Sequence, residues 1–330
     1  MLRIFTLKRL SVVIALVSVG VAIGSGAVLG FVIQPKSANL SDAIRWSNVP
    51  GSLVEQGVRG LGGGIEYAIA EDFCVNIIPR FQDEPKPTCD QLKEVIQRAF
   101  DKWAAGHPIL KFTDVTGKIQ PVALSPRAGA EIDLFAFPHS AGAYTHWWYR
   151  YDDPIGTNGK VLPGNTFTSA DIIFNTSACF RLNLDLRRCI HFETLLMHEI
   201  GHALGLAHPN EYPHLNFDTD DDPTNEIPID CEDPTKGLKL SPNIDPNAIM
   251  NSSLGKPEPV HPELTNDDIG GRNFLYPICP SAAQGGADLA LPAAPLSGNG
   301  EGAVGLVAFF VGALSFVLGR EWGKRRALIY

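Results

Sequence analysis

Residues 198–208 read His198-Glu199-Ile200-Gly201-His202-Ala203-Leu204-Gly205-Leu206-Ala207-His208. On a helix, residues four apart share a face, so His198 and His202 present two imidazoles to one point. Glu199 lies about one helical step off that face. It is therefore free of ligation and available as a base. Gly205 comes three residues after His202, and His208 three after Gly205. For a third imidazole to reach the same point, the chain must leave the helix in a sharp turn. Glycine adopts the left-handed conformation such a turn needs. Three histidines and a water complete the tetrahedral shell that zinc prefers, and catalytic sites keep the fourth position for water. Zinc lowers the pKa of that water toward ~7, which makes hydroxide available near neutrality with Glu199 placed to take its proton. Structural zinc sites usually fill all four positions from the protein, and only three ligands are evident here. HExxH alone arises by chance in a chain of this length with odds on the order of one in a hundred, and the added Gly and His make the match several hundred times rarer.

Working outward, the pattern predicts a long helix over residues 191–206, ended by Gly205 and Pro209. Upstream, Leu92, Val95, Ile96, Phe100 and Trp103 fall on one face of an amphipathic helix over residues 89–105. Residues 64–78, Phe112 and Val115, EIDLFAF over 131–137 and SADIIF over 169–174 read as strands. No internal repeat is evident. The mixture predicts one α+β domain over roughly 45–280, with its folded body from 65 to 280 and an irregular, Gly-rich lead-in over 34–64. Residues 143–163, rich in Trp, Tyr and Gly, and 212–246, rich in Asp and Pro, read as long inserted loops.

The string HEIGHALGLAH resembles the metzincin signature. The likeness continues downstream. Ala248-Ile249-Met250-Asn251 resembles the methionine turn of that family. Leu264-Thr265-Asn266-Asp267-Asp268-Ile269-Gly270 and Phe274-Leu275-Tyr276 resemble the last helix of the matrixins. Phe100, Trp103 and LKFT over 110–113 are similar to the matrixin N-terminal half, so the resemblance spans most of residues 65–278. It implies a zincin-like domain: a twisted, mainly parallel sheet with an antiparallel edge strand, an active-site helix and a C-terminal helix. It also implies His198, His202 and His208 as ligands of one catalytic Zn2+, Glu199 as general base and proton shuttle, Gly205 at the turn, and Met250 as an apolar support beneath the metal. Asp267 and Asp268 would link the last helix to the site; a solvated helix face or N-terminal cap explains them nearly as well.

Several positions depart from the matrixin pattern. Pro209 follows the third histidine, as in serralysins, while Ser252 stands where a serralysin-like tyrosine ligand would be. No cysteine-switch propeptide is found. His139 and His146 read as ordinary loop histidines, and no second zinc is predicted. Asp218, Asp220, Asp221, Asp222 and Glu226 resemble the start of a Ca2+ loop without its glycine; a solvated acidic loop is the commoner explanation. The expected activity is peptide-bond hydrolysis on protein or peptide substrates. The substrate would lie antiparallel to an edge strand, for which residues 170–174 are a candidate, and residues 251–260 would build the specificity pocket. A zinc amidase on cell-wall peptides and a non-catalytic surface module are the alternatives.

Across all 330 residues the net charge is −9, and no basic patch interleaved with aromatics is evident, which argues against a nucleic-acid partner. Six cysteines without a CxxC pair point to disulfides in an oxidising compartment. Closeness in sequence, then elimination, suggests Cys74–Cys89, Cys179–Cys189 and Cys231–Cys279. Residues 10–33 form an uncharged apolar run preceded by Arg3, Lys8 and Arg9 (1–9). Both a signal anchor and a cleaved signal peptide fit it. A second run over 302–319 follows an Ala/Gly/Pro/Ser linker (281–301) and precedes the basic tail 320–330, with Arg320, Lys324, Arg325 and Arg326. The positive-inside rule then places both termini in the cytoplasm and residues 34–301 outside. The expected location is the cell surface, with membrane attachment through terminal helices, or the medium if both ends are processed.

Overall fold

The structure, a computed structural model, describes residues 30–278 apart from 49–59, 127, 157–158, 186–187, 219–232, 234, 237, 242 and 253–261. In chain order the strands are β1 (Val32–Ile33), β2 (Ile44–Arg45), β3 (Ile65–Ile69), β4 (Phe112–Asp114), β5 (Ile132–Phe137), β6 (Ala143–Arg150) and β7 (Asn165–Asn175). They continue with β8 (Phe180–Arg181), β9 (Ile190–His191), β10 (Leu206–Ala207), β11 (Phe217–Asp218) and β12 (Lys239–Leu240). The α-helices among these residues are α1 (Phe73–Ile77), α2 (Cys89–Ala104), α3 (Phe192–Leu204) and α4 (Asn266–Leu275).

The main sheet runs β2-β7-β5-β3-β4, all parallel, and β6 pairs antiparallel with the other side of β7. β7 is buried along most of its length because neighbours cover both of its faces. Helix α2 begins in a capping box: Thr88 Oγ1 accepts from Gln91 N, and Gln91 Oε1 accepts from Thr88 N. Its buried stripe, Leu92, Val95, Ile96, Ala99, Phe100 and Trp103, has the spacing of one helical face. Tyr67 of β3 stacks on Phe100 at 4.1 Å, and Phe174 of β7 stacks on Phe192 of α3 at 4.7 Å. Both helices thus lie against the same face of the sheet.

The C-terminal end of α3 is fixed from two directions. Trp46 Nε1 donates to Ala203 O at 2.9 Å, and Tyr276 Oη donates to Leu204 O at 2.7 Å. These side chains occupy carbonyls that a helix end leaves without intrahelical partners. Two disulfides match the expected pairs. Cys74–Cys89 staples α1 to the start of α2, and Cys179–Cys189 closes the segment between β8 and β9. Cys231 and Cys279 lie outside the described residues.

Four expectations need correction. The lead-in is not irregular: β2 pairs with β7, and Ala43, Ile44 and Trp46 are buried. The folded body reaches back further still, since Phe31, Val32 and Ile33, the end of the first apolar run, are buried and β1 pairs with β10. The strand expected over 64–78 stops at Ile69, and α1 follows, because Asp72 and Pro79 punctuate a stretch whose apolar residues suit either period. The supposed insertion at 143–163 opens with β6, which is the sheet edge, whereas 170–174 lies inside β7 between β5 and β6. Among the described residues no helix is long and apolar enough to cross a membrane. Residues 1–29 and 279–330, with most of the first apolar run, the linker, the whole second run and the tail, are outside them.

On the face of the sheet away from the helices, Asp133 of β5 and Asp171 of β7 stand in register, both fully buried. They accept from the loop above: Val122 N and Ala130 N on Asp133, Leu124 N on Asp171. Burial pushes Asp133 up to about 6 and Asp171 up to about 7, against the opposing hydrogen bonds. The folded protein therefore holds protons here that the unfolded chain has released above pH ~4. Their stabilising contribution is complete below that pH and declines as pH rises toward 7. Denaturant unfolding of Asp171→Asn should show the variant gaining on the parent by on the order of 1 kcal/mol per pH unit between pH 4 and 7. A pH-independent difference would refute the assignment.

Candidate active site

Helix α3 carries the first two histidines. Its N-cap is His191, whose side chain accepts from Thr194 N. Its end is Gly205, at φ 107°, and a Cβ there would lie 2.3 Å from Ile44 O. Left-handed backbone and close approach to β2 both require glycine. The reversal feeds Leu206 and Ala207 into β10 and delivers His208 back to the helix.

The three rings converge through Nε2. His208 Nε2 is 3.0 Å from His198 Nε2 and 2.9 Å from His202 Nε2. Among the described residues this is the one cluster of three or more potential ligands. Tetrahedral zinc with Zn–N near 2.0–2.1 Å sets its ligand nitrogens about 3.3 Å apart, so the rings need to part by only about 0.3–0.4 Å to take it. The opposite nitrogens confirm the tautomers. His198 Nδ1 meets Ile249 O at 2.7 Å and His202 Nδ1 meets Leu206 O at 2.8 Å. A carbonyl only accepts, so each Nδ1 holds the proton and each Nε2 offers a lone pair. His208 Nδ1 lies 3.0 Å from Glu211 Oε2. Burial, reinforced by the neighbouring histidine, pulls His198 down to about 3 and His202 well below its usual range. Neutral imidazole is the form that binds metal.

Glu199 is buried at the same site. Thr145, on the inner face of β6, places Oγ1 2.7 Å from Glu199 Oε2 and 2.9 Å from Glu199 O. Burial raises the carboxyl to about 7, and the Thr145 hydroxyl opposes the shift. Thr145 was not legible in sequence, because nothing local marks a contact made across the cleft.

Met250 is buried directly below. A Cβ on Gly201 would meet Met250 Sδ at 2.1 Å and Trp103 Cζ2 at 2.9 Å, so glycine inside the helix admits the methionine turn. That turn hangs on Asp268 of α4. Its Oδ2 accepts from Ile249 N and Thr265 N, and its Oδ1 from Met250 N, all between 2.9 and 3.1 Å. Burial lifts Asp268 to about 6 despite these bonds. Asp267 accepts from Asp245 N and is lifted to about 8, again by burial first. Both aspartates are thus buried supports rather than a solvated helix face.

The cleft in front holds about 430 Å³, bounded by Ala143, Thr145 and Trp147 on β6 and by Ile190 and Leu195 below. Lys36 and Glu211, both unremarked in sequence, also line it. Residues 253–260 of the expected specificity segment lie outside the described residues. Asp218 forms part of β11, while Asp220 and Asp222 are outside as well, so nothing in the fold bears on calcium. His146 is a strand residue on β6, and His139 packs its ring against Tyr144 at 4.8 Å.

Residues 77–234 match the Matrixin family. The domain is matrixin-like. That match supports a zinc metallopeptidase, and the histidine cluster could hold the metal ion such an enzyme uses. No curated protein matches the chain. In this matrixin-like domain the support behind the metal is as specific as the ligands. Asp268→Ala removes the acceptor of three backbone N–H groups, each costing about 1–3 kcal/mol when left buried and unpaired. Thermal unfolding should show a loss of about 3 kcal/mol or more. Zinc affinity, measured by competition with a chromogenic chelator, should fall about tenfold or more, because Ile249 O orients His198. Unchanged affinity would separate the turn from the metal site.

Proposed function

We propose that this protein is an endopeptidase, with His198, His202 and His208 holding zinc and Glu199 as general base and proton shuttle. The carrying observation is the convergence of three imidazoles through Nε2 beside a buried carboxyl group that a β6 hydroxyl holds at the cleft. When bound, zinc supplies Lewis-acid polarisation of the scissile carbonyl and of the attacking water. The substrate strand adds antiparallel to the edge of β6 that no other described strand pairs. Glu199 takes a proton from water as its oxygen bonds to the carbonyl carbon. It then delivers that proton to the amine as the C–N bond breaks. No covalent enzyme intermediate is needed. The Thr145 hydroxyl fixes the carboxylate throughout.

The test is zinc-loaded full-length protein on a mixed, unfolded protein substrate. The parent should cleave it and Glu199→Ala should not. Thr145→Val should lose about 10–100-fold in kcat, the worth of a hydrogen bond to a charged group, and Thr145→Ser should recover most of it. Stoichiometric zinc with an inert parent would sink the reading.

We also propose that the domain sits outside the cell, anchored by one or both apolar runs. The support is the basic residues on the outer flanks of both runs and the two disulfides inside. Protease added to intact cells should remove the domain while leaving a tag after Tyr330 protected if the second run spans; a digested tag would exclude anchoring by that run, and a domain left intact would contradict the outside location.

A further inference from the structure

We propose that Lys36 forms a subsite that selects an acidic substrate side chain on the amino-terminal side of the scissile bond, a refinement that rests on the endopeptidase reading above. Polarity along the cleft follows from topology. Thr145 marks the chemistry on β6, and a strand antiparallel to β6 carries its earlier residues past Trp147 toward Arg150. At that end Arg150 pairs with Thr166, and Thr166 in turn with Arg45 of β2. The segment before β2 is tied there too: Ile44 N donates to Gln34 O, Gln34 N donates to Gly205 O, and Lys36 N closes a turn onto Ile33 O. Lys36 and Trp147 therefore border the same half of the cleft.

The ammonium is held rather than loose. Lys36 Nζ donates to Tyr212 Oη at 2.9 Å and sits 4.6 Å from that ring's centre. Tyr212 takes one of three donors, leaving two for a guest carboxylate. Glu211 is the acid that faces it. It attracts Lys36 and is shared with His208 Nδ1 and the Ser252 hydroxyl, while bound zinc would add positive charge. The balance at this end favours an anion. The backbone supplies an independent sign. Lys36 has φ +66°, a conformation that costs any residue bearing a Cβ and that glycine adopts freely. A lysine standing where glycine would fold more easily points to a use for the side chain.

The experiment uses zinc-loaded full-length protein and extended peptides with one fixed scissile bond, carrying Glu or Lys in turn at each of the three preceding positions. The parent should prefer Glu over Lys in kcat/KM by about threefold to tenfold at one position, as expected for a partly exposed ion pair, and the ratio should shrink with salt. Lys36→Arg should retain the preference, Lys36→Gly should abolish it and Lys36→Glu should invert it. Melting temperatures close to the parent's would confirm that the variants are folded. The same ratio in all four proteins, or a parent that prefers Lys, overturns the subsite while leaving the endopeptidase reading intact. A parent that binds zinc and cuts no peptide overturns both.

Discussion

Three imidazole lone pairs facing one another at 2.9–3.0 Å repel unless a cation lies between them. The rest of the fold is arranged around holding them there. Each ring is fixed from behind by a different part of the chain: His198 by the methionine turn, His202 by the strand after its own helix, and His208 by Glu211. The first needs a turn built some fifty residues downstream, the second needs Gly205 to reverse the chain, and the third belongs to the loop after the reversal. Local helix geometry can align two histidines. Only tertiary structure can orient all three.

Asp268 shows how closely these supports are shared. It is the N3 residue of the capping box that starts α4, and the same carboxylate receives the amides of Ile249 and Met250. One side chain therefore starts a helix and suspends the turn whose carbonyl orients a metal ligand. Gly201 completes the arrangement, because any larger residue in the middle of HExxH would occupy the space of Met250 and Trp103. Burying a carboxylate this way is costly, as its raised pKa records. Satisfying three amides at a point where the backbone has no other partner offsets that cost.

Much of this was legible from residues alone, for a physical reason. HExxHxxGxxH states its geometry in its spacing, and the amphipathic stripe of α2 states its burial in the same way. The two short-range disulfides followed from proximity. What escaped was set by partners distant in sequence. AYTHWWYR does not alternate in polarity, because β6 has the cleft along one edge and is only partly covered on its faces. It therefore resembled a loop. Phe31, Val32 and Ile33 blended into the apolar run before them, though their place is a two-residue strand against β10. Thr145, Lys36 and Glu211 carry no local signature, since each matters through a neighbour the fold brings to it.

The edge strand itself argues for a guest. A strand of eight residues with one side unpaired invites uncontrolled pairing with other chains, and proteins usually blunt such edges with short length, proline or covering segments. β6 has neither of the first two. Instead, its side that no other described strand pairs borders a cleft also lined by Ile190, Leu195, Gln34 and Lys36. Trp147 and Tyr149 then continue along the strand, with ring centres 5.5 Å apart, as an apolar rail beyond the Glu199 carboxyl group. The strand that supplies Thr145 to Glu199 is thus the strand with an edge that no other described strand pairs, so under the proposed function one element would set both the register of a bound chain and the position of the base.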